Sequence, residues 1–178
     1  YCTVNVMPRN EGIEKLPEFL KSLEEAKVDA VLVSDLGVFR TVQKHTNLPI
    51  HISTQANTVN YEGCNMWHDL GAERVVLARE CSLKEIKEIR QHIPEELELE
   101  VFVHGAMCMS YSGRCLLSSY MTGRDSNRGA CAQSCRWKYS LVEEKRPNQY
   151  FPIEEDQHGT YIMNSKDLCM IEHLPELL

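Results

Sequence analysis

The sequence lacks the features that mark several common protein classes. It has no apolar run near the roughly 18 residues that span a bilayer, and it has no visible signal peptide, so a membrane-spanning protein is not indicated. No Gly-x-Gly-x-x-Gly follows a strand-like segment, which leaves a dinucleotide site without support. Gly-x-Ser-x-Gly and His-Glu-x-x-His are absent, and so is the paired C-x2-C spacing of common zinc sites.

The chain also lacks an initiating methionine. It begins at Tyr1 inside a strand-like segment and stops at Leu178 inside a helical pattern. We interpret it as an internal piece of a longer protein, without the N- and C-terminal parts. With 178 residues, of which 43% are hydrophobic and 25% charged, it is long enough to form a globular fold with one substantial core.

Charge is distributed unevenly along the chain, whose net charge is −7. Residues 101–146 carry seven Lys/Arg and three Asp/Glu, whereas residues 1–100 carry 11 and 17 and residues 147–178 carry one and six. Two interpretations are open. The arginines offset the charge of a thiolate-bound metal cluster, or they bind an anionic partner such as RNA phosphate or a small carboxylate.

Cysteines are concentrated in this basic segment. Cys108, Cys115, Cys131 and Cys135 lie in a glycine- and arginine-rich stretch, and Cys169 follows. Thiolates drawn from well-separated turns are typical of an iron–sulfur cluster rather than of a zinc knuckle. The three remaining cysteines are scattered in the regular part of the chain, as buried free thiols are, which favours a reducing, cytoplasmic location.

Residues 1–105 alternate strand and helix signals, which predicts an α/β fold with about five parallel βα units. The strand-like runs are Cys2–Val6, Ala30–Val33, Ile50–Ser53, Arg74–Ala78 and Leu99–Val103. The helical patterns are Ile13–Ala26, Val38–His45, Asn60–Leu70 and Ser82–His92, with Asn10 and Ser82 as N-caps and a capping box after Ser82. A partial TIM-type barrel and an open, doubly wound sheet both explain this alternation.

Polar residues recur at the predicted strand ends, where active sites lie in a barrel of βα units. They are Asn5, Ser34-Asp35, Thr54-Gln55-Asn57, Arg79-Glu80 and His104. After these residues the alternation of strand and helix signals ends, which predicts three segments. Residues 1–105 form the βα units, residues 106–160 form an irregular Cys-rich insertion, and residues 161–178 return to the barrel through the extended Tyr161–Met163 and the helix Met170–Leu178.

Several stretches resemble the collagenase-like peptidases, family U32, over nearly the whole chain. They are EVFVHGAMCMSYSGRCLLS, HISTQAN, RVVLARE, YMTGRDSNRGACAQSCRWKY and IMNSKDLC. The likeness is greatest to the bacterial tRNA hydroxylation branch, implicated in prephenate-dependent formation of 5-hydroxyuridine at the wobble position. Sister branches hydroxylate ribosomal RNA cytidine and ubiquinone. The resemblance implies an eight-stranded barrel of which this chain holds the third to seventh strands, and it implies tRNA as a partner.

The resemblance also implies a 4Fe–4S cluster. The ligands in the ubiquinone branch correspond to Cys108, Cys115, Cys131 and Cys169, whereas Cys135 has no counterpart there. Arg79 is the candidate for binding a dicarboxylate such as prephenate, with Glu80 beside it. His104 is the candidate acid or base. Gln55 and Asp35 are weaker candidates on position alone, and Trp137 and Tyr139 are candidates for stacking on a nucleobase.

Three functions follow from these expectations. The leading one is an iron–sulfur enzyme, or an essential component, of tRNA wobble-uridine hydroxylation. The second is a peptidase, as the family name states, although Cys108 cannot attack a carbonyl if it is a cluster ligand. The third is a non-catalytic iron–sulfur scaffold.

Overall fold

The structure, a computed structural model, describes residues 1–137, 139–142, 144–148, 150–151, 155–156, 159–160 and 167–177. The chain divides into two compact units, Tyr1–Phe102 and Val103–Glu176. The predicted extended segment Tyr161–Met163 lies outside the described residues. Among the helices of the described residues, none is both long and apolar enough to cross a membrane.

The first unit is a five-stranded parallel sheet with a helix after each of the first four strands. The strands are β1 (Cys2–Val4), β2 (Val31–Val33), β3 (Ile50–Ile52), β4 (Arg74–Val76) and β5 (Glu98–Glu100). The helices are α1 (Asn10–Glu25), α2 (Leu36–His45), α3 (Tyr61–Asp69) and α4 (Leu83–Gln91). The predicted α/β class is therefore confirmed, with five parallel strands that alternate with helices.

Two rows of side chains cross this sheet, one on each face. The row Val4, Val33, Ile52, Val75 and Leu99 is apolar, and it joins the hydrophobic core with Leu20, Val42, Trp67 and Ile89 of the four helices. The neighbouring row is Thr3, Leu32, His51, Arg74 and Glu98. Because adjacent residues in a strand point to opposite faces, the helices cover one face and the polar row lies on the other.

The spatial order of the strands is β1-β2-β3-β4-β5, the same as their order in the sequence. A doubly wound sheet reverses its strand order at a switch point and carries helices on both faces. Neither feature occurs among these five strands. The order is that of consecutive βα units, as in a TIM barrel, whose closure remains a prediction from the sequence.

Helix starts in the first unit agree with the sequence at one predicted cap and differ at the other. The Ser82 backbone amide donates to the Glu85 carboxylate at 2.7 Å, and the Glu85 amide donates to the Ser82 hydroxyl at 3.4 Å, which is the predicted capping box. The prediction of Asn10 as an N-cap was wrong. Gly12 and Ile13 both donate to the Arg9 carbonyl, so the helix begins one residue earlier than the sequence suggested.

The second unit has little regular structure. Its antiparallel pairs join β6 (His104–Gly105) to β11 (Leu168–Cys169), β7 (Leu141–Val142) to β8 (Tyr150–Phe151), and β9 (Glu155–Asp156) to β10 (Gly159–Thr160). Two short helices occur, α5 (Leu117–Thr122) and α6 (Leu174–Leu177). The predicted helix Met170–Leu178 is thus a 3₁₀ turn at Ile171–His173 followed by α6.

Candidate functional site

Three of the four predicted cluster ligands receive the same backbone hydrogen bond. The amides of Ser110, Leu117 and Gln133 each donate to the sulfur two residues earlier. Those sulfurs belong to Cys108, Cys115 and Cys131, at 3.4, 3.3 and 3.3 Å. An N–H donor stabilises negative charge on a thiolate, and hydrogen bonds to the sulfurs are among the factors that set the potential of an iron–sulfur cluster. The local backbone around all three thiols therefore suits thiolate ligands.

The segment around Cys115 is fixed by side-chain hydrogen bonds from a later part of the chain. The Cys115 carbonyl accepts from the Ser126 hydroxyl and, at 3.3 Å, from the Asn127 amide. The Ala132 amide donates to the Ser118 hydroxyl at 2.9 Å. Because both serine side chains are buried, these bonds tie Cys115 and α5 to the residues just before and after Cys131. Two predicted ligands that are 16 positions apart in sequence thus belong to one connected element.

Cys135 shares the electrostatic surroundings of the other thiols. Its pKa is raised, first by burial and then by the nearby Cys108, and Cys131 and Cys115 act in the same direction. The positive charge of Arg136 lowers this pKa, although burial outweighs it. Cys108, Cys115 and Cys131 therefore each lie within electrostatic range of Cys135.

Cys169 is placed differently. It is exposed on β11, directly opposite His104 of β6 in the antiparallel register. The Met170 amide donates to the Val103 carbonyl at 2.7 Å, and Arg136 forms an ion pair with Asp167 at 3.0 Å. These contacts connect the strand that carries Cys169 to β6 and to the turn that carries Cys135.

The thiols are not arranged as a finished ligand set. Among the described residues, no three Cys, His, Asp or Glu side chains form a group that could hold a metal ion. The donor chemistry fits a cluster, because the set consists of thiols, three of which have amide donors. The set Cys108, Cys115, Cys131 and Cys169 stays a prediction.

The strand ends of the first unit form a hydrogen-bonded rim. The Asn5 amide donates to the Ser53 hydroxyl at 3.2 Å, and the Ser34 hydroxyl donates to the Asn5 carbonyl at 2.7 Å. Asp35, a weaker site candidate, is the N-cap of α2, where its carboxylate accepts from the Val38 amide at 3.0 Å. Helix capping accounts for this carboxylate without a functional role.

Gln55 and Arg79 lie on adjoining parts of the same rim. Gln55 is in the 3₁₀ turn Thr54–Ala56 after β3. The Thr54 hydroxyl donates to the Leu77 carbonyl and the Ala78 amide donates to the Thr58 carbonyl, each at 3.0 Å, so this loop packs along the end of β4 just before Arg79. The Arg79 guanidinium carbon lies 4.8 Å from the centre of the Phe102 ring. This cation–π contact holds the guanidinium in place.

The three predicted catalytic residues are divided between the units. Arg79 and Glu80 belong to the first unit, and His104 is an exposed residue of the second. Between the described residues no thiol–imidazole hydrogen bond occurs, so the structure offers no assembled cysteine-protease pair. Phe102 was missed by the sequence analysis, although an aromatic residue following a strand end was the available signal.

Comparisons with known proteins match this chain over its whole length. The sequence profile of peptidase family U32 matches residues 1–178. The tRNA hydroxylation protein P of Escherichia coli (strain K12) is 40% identical over 217 residues, covering 99% of this chain and 48% of that protein. The 23S rRNA 5-hydroxycytidine C2501 synthase of the same organism is 34% identical over 145 residues, covering 82% of this chain and 22% of that protein.

A solved structure, that of the U32 peptidase Mk0906, has a TM-score of 0.54 with 18% sequence identity. The match covers 92% of this chain and 63% of that one. At this identity the likeness concerns the fold alone. The chain spans about half the length of the tRNA hydroxylation protein that it matches.

Proposed function

The chain belongs to peptidase family U32, and from that membership we propose that its protein takes part in hydroxylating C5 of the wobble uridine of tRNA. The observation that carries this proposal is the 40% identity to a tRNA hydroxylation protein across 99% of the chain. The similarity to a 5-hydroxycytidine synthase supports the same chemistry, since both names describe hydroxylation of RNA. The basic segment 101–146 supports an anionic partner.

We propose a 4Fe–4S cluster as the cofactor, with Cys108, Cys115, Cys131 and Cys169 as its ligands. A bound cluster would supply one-electron transfer. The contribution of this chain is to present thiolates. The amides of Ser110, Leu117 and Gln133 stabilise the charged form of three of them.

Prephenate is the proposed co-substrate, and Arg79 is the proposed group that binds one of its carboxylates. A guanidinium stacked on Phe102 is held in a defined plane, which suits bidentate recognition of a carboxylate. A lysine cannot reproduce this geometry, so Arg79→Lys should weaken prephenate binding measured by calorimetry, although the charge is kept. Equal affinity in the variant would remove Arg79 from the proposal.

The decisive experiment is mass spectrometry of tRNA nucleosides from a strain in which the gene is deleted. We expect loss of 5-hydroxyuridine and its derivatives, restored by the full-length protein. The Cys115→Ser variant should fail to restore them and should contain little iron or acid-labile sulfide after anaerobic purification. Cys2→Ser, in the sheet unit, is the matched control and should behave as wild type. Unchanged tRNA in the deletion strain contradicts the proposal.

A peptidase is the second candidate, favoured by the family's name. It requires cluster-free, full-length protein to cleave peptides, with loss of cleavage when one thiol or one histidine is replaced. A non-catalytic scaffold instead predicts a redox-active cluster with no substrate bound to the rim residues.

A further inference from the structure

Two large apolar side chains project from one side of the short helix α5. Leu116, at its N-cap, is 74% exposed, and Tyr120 is 87% exposed. The Tyr120 amide donates to the Leu116 carbonyl at 2.9 Å, so the two residues are one helical turn apart and lie on the same side of the helix. Such exposure of an adjacent aromatic and aliphatic pair indicates a surface that binds a partner.

The opposite side of the same helix is held by hydrogen bonds. Ser118 is 2% exposed and accepts from the Ala132 amide at 2.9 Å. The Thr122 hydroxyl donates to the Ser118 carbonyl at 2.7 Å, and Gly123 ends the helix in a left-handed conformation with a φ of 71°. Tyr120 is therefore an exposed ring on a helix whose backbone is held by hydrogen bonds.

Positive charge follows directly after this pair. Arg124 and Arg128 are exposed, and neither guanidinium has a hydrogen-bond or ion-pair partner among the described residues. By contrast, Arg136 is paired with Asp167 at 3.0 Å. The Asp125 carboxylate between the two arginines accepts from the Asn127 amide at 3.0 Å, so it stabilises the turn. Arg124 and Arg128 thus have no such bond to break before they bind an anion.

We infer that Leu116, Tyr120, Arg124 and Arg128 form the surface that docks tRNA, here called the α5 surface. An unpaired nucleotide stacks on the Tyr120 ring, and the two guanidiniums bind flanking phosphates. This inference rests on the proposed function and specifies where the chain holds its RNA. Ser126 and Asn127, on the same turn as the arginines, also bind the Cys115 carbonyl, so the α5 surface is built on the element that carries a proposed cluster ligand.

Charge complementarity favours RNA over a protein partner. Residues 101–146 hold seven Lys/Arg against three Asp/Glu, whereas the rest of the chain holds 12 against 23. Most of the chain therefore repels a polyanion, and this segment is the part that attracts one. An acidic protein would be attracted by the same charges, but stacking on the exposed Tyr120 ring is a contact that an unpaired nucleobase supplies.

The test measures binding of an unmodified tRNA transcript to the full-length protein by fluorescence anisotropy at several salt concentrations. Loss of one stacked base weakens binding by about tenfold in Tyr120→Ala, and Tyr120→Phe keeps the affinity because it keeps the ring. In the double variant Arg124→Gln, Arg128→Gln the plot of log binding constant against log salt concentration should become less steep, by about 1.5. This is the change expected for two lost contacts to single-stranded phosphates.

Controls come from the acidic unit, where Phe19 is 46% exposed on α1 and Arg40 is exposed on α2. Phe19→Ala and Arg40→Gln should leave both affinity and slope unchanged. The inference is overturned if Tyr120→Ala binds tRNA with the affinity of the wild-type protein. If this variant also has a lower melting temperature, the Tyr120 ring packs against another part of the full-length protein. A deletion strain with normal tRNA would reject the proposed function, whereas normal tRNA binding by these variants rejects only the α5 surface.

Discussion

The unit Tyr1–Phe102 and the unit Val103–Glu176 are stabilised by different interactions. The first has a continuous apolar core, with Leu20, Val42, Ile52 and Val75 fully buried. Where burial is described in the second, the buried residues are Ser112, Cys115, Ser118, Ser126 and Ser134, which are small and mostly polar. Apolar burial is non-directional and stabilises a fold broadly, whereas hydrogen bonds position particular atoms. We therefore assign the scaffold to the first unit and the proposed thiol ligands to the second, and each prediction below tests that division.

The largest expected contrast is in thiol reactivity. Burial raises the pKa of Cys64 to about 12, and the charge of the neighbouring Cys81 acts in the same direction. Burial raises the pKa of Cys81 to about 11, and the charge of Glu85 acts in the same direction. At pH 8 only about one Cys64 in ten thousand is then a thiolate, and the thiolate is the reactive form. Iodoacetamide should label the exposed Cys131 of cluster-free native protein and leave Cys64 unlabelled, as peptide mass spectrometry would show. Equal labelling of Cys131 and Cys64 would mean that the unit Tyr1–Phe102 exposes Cys64 to solvent.

A contrast in stability comes next. Ile52 is fully buried in the apolar row, so Ile52→Ala should lower the free energy of unfolding by about 3 kcal/mol. Ser126→Ala removes one hydrogen bond to the Cys115 carbonyl, which keeps its bond from Asn127, and should cost only about 1 kcal/mol. Urea unfolding of the full-length protein followed by circular dichroism measures both. A larger cost for Ser126→Ala than for Ile52→Ala would contradict the assignment of the scaffold to the first unit.

The smallest expected effect is a pH dependence on the polar row of the sheet. His51 is 5% exposed, and its ring centre lies 4.9 Å from that of Tyr1. Burial lowers its pKa below the ordinary value of 6.5, Arg74 lowers it further, and Glu73, Glu98 and Glu100 oppose both. Below pH 6.5 the unfolded chain therefore binds the proton more readily than the folded one.

The stability that neutral His51 contributes is thus complete above pH 6.5 and declines as the pH falls toward the folded-state pKa. His51→Gln should flatten this part of the curve of unfolding free energy against pH, measured by urea titration at a series of pH values. An unchanged slope in the variant would show that another group causes the acid sensitivity.

Local patterns explain why the first unit was predictable from sequence. Val31, Val33, Ile50 and Ile52 alternate with residues on the other face, and the capping box at Ser82 involves residues only three apart. Both signals are contained in short stretches of sequence. The error at Asn10 has a physical reason as well, because the backbone of Arg9 accepts the first helical hydrogen bonds and no side-chain cap is made.

The candidate site was less predictable because its contacts join distant positions. The bonds from Ser126 and Asn127 to Cys115 span 11 and 12 residues, and the Arg79–Phe102 contact spans two neighbouring strands. No periodic pattern marks such pairs. The cysteines themselves were visible, but the hydrogen bonds to their sulfurs come from the backbone, and side-chain identity carries no information about them.

Those backbone donors have a consequence for how the protein tolerates substitution. Since an amide is present in every residue except proline, the hydrogen bonds to the sulfurs of Cys108, Cys115 and Cys131 do not depend on the side chains at positions 110, 117 and 133. Position 133 has a φ of 54°, so its backbone disfavours β-branched residues, whereas this limit does not apply at positions 110 and 117. Proline is the replacement that each place excludes.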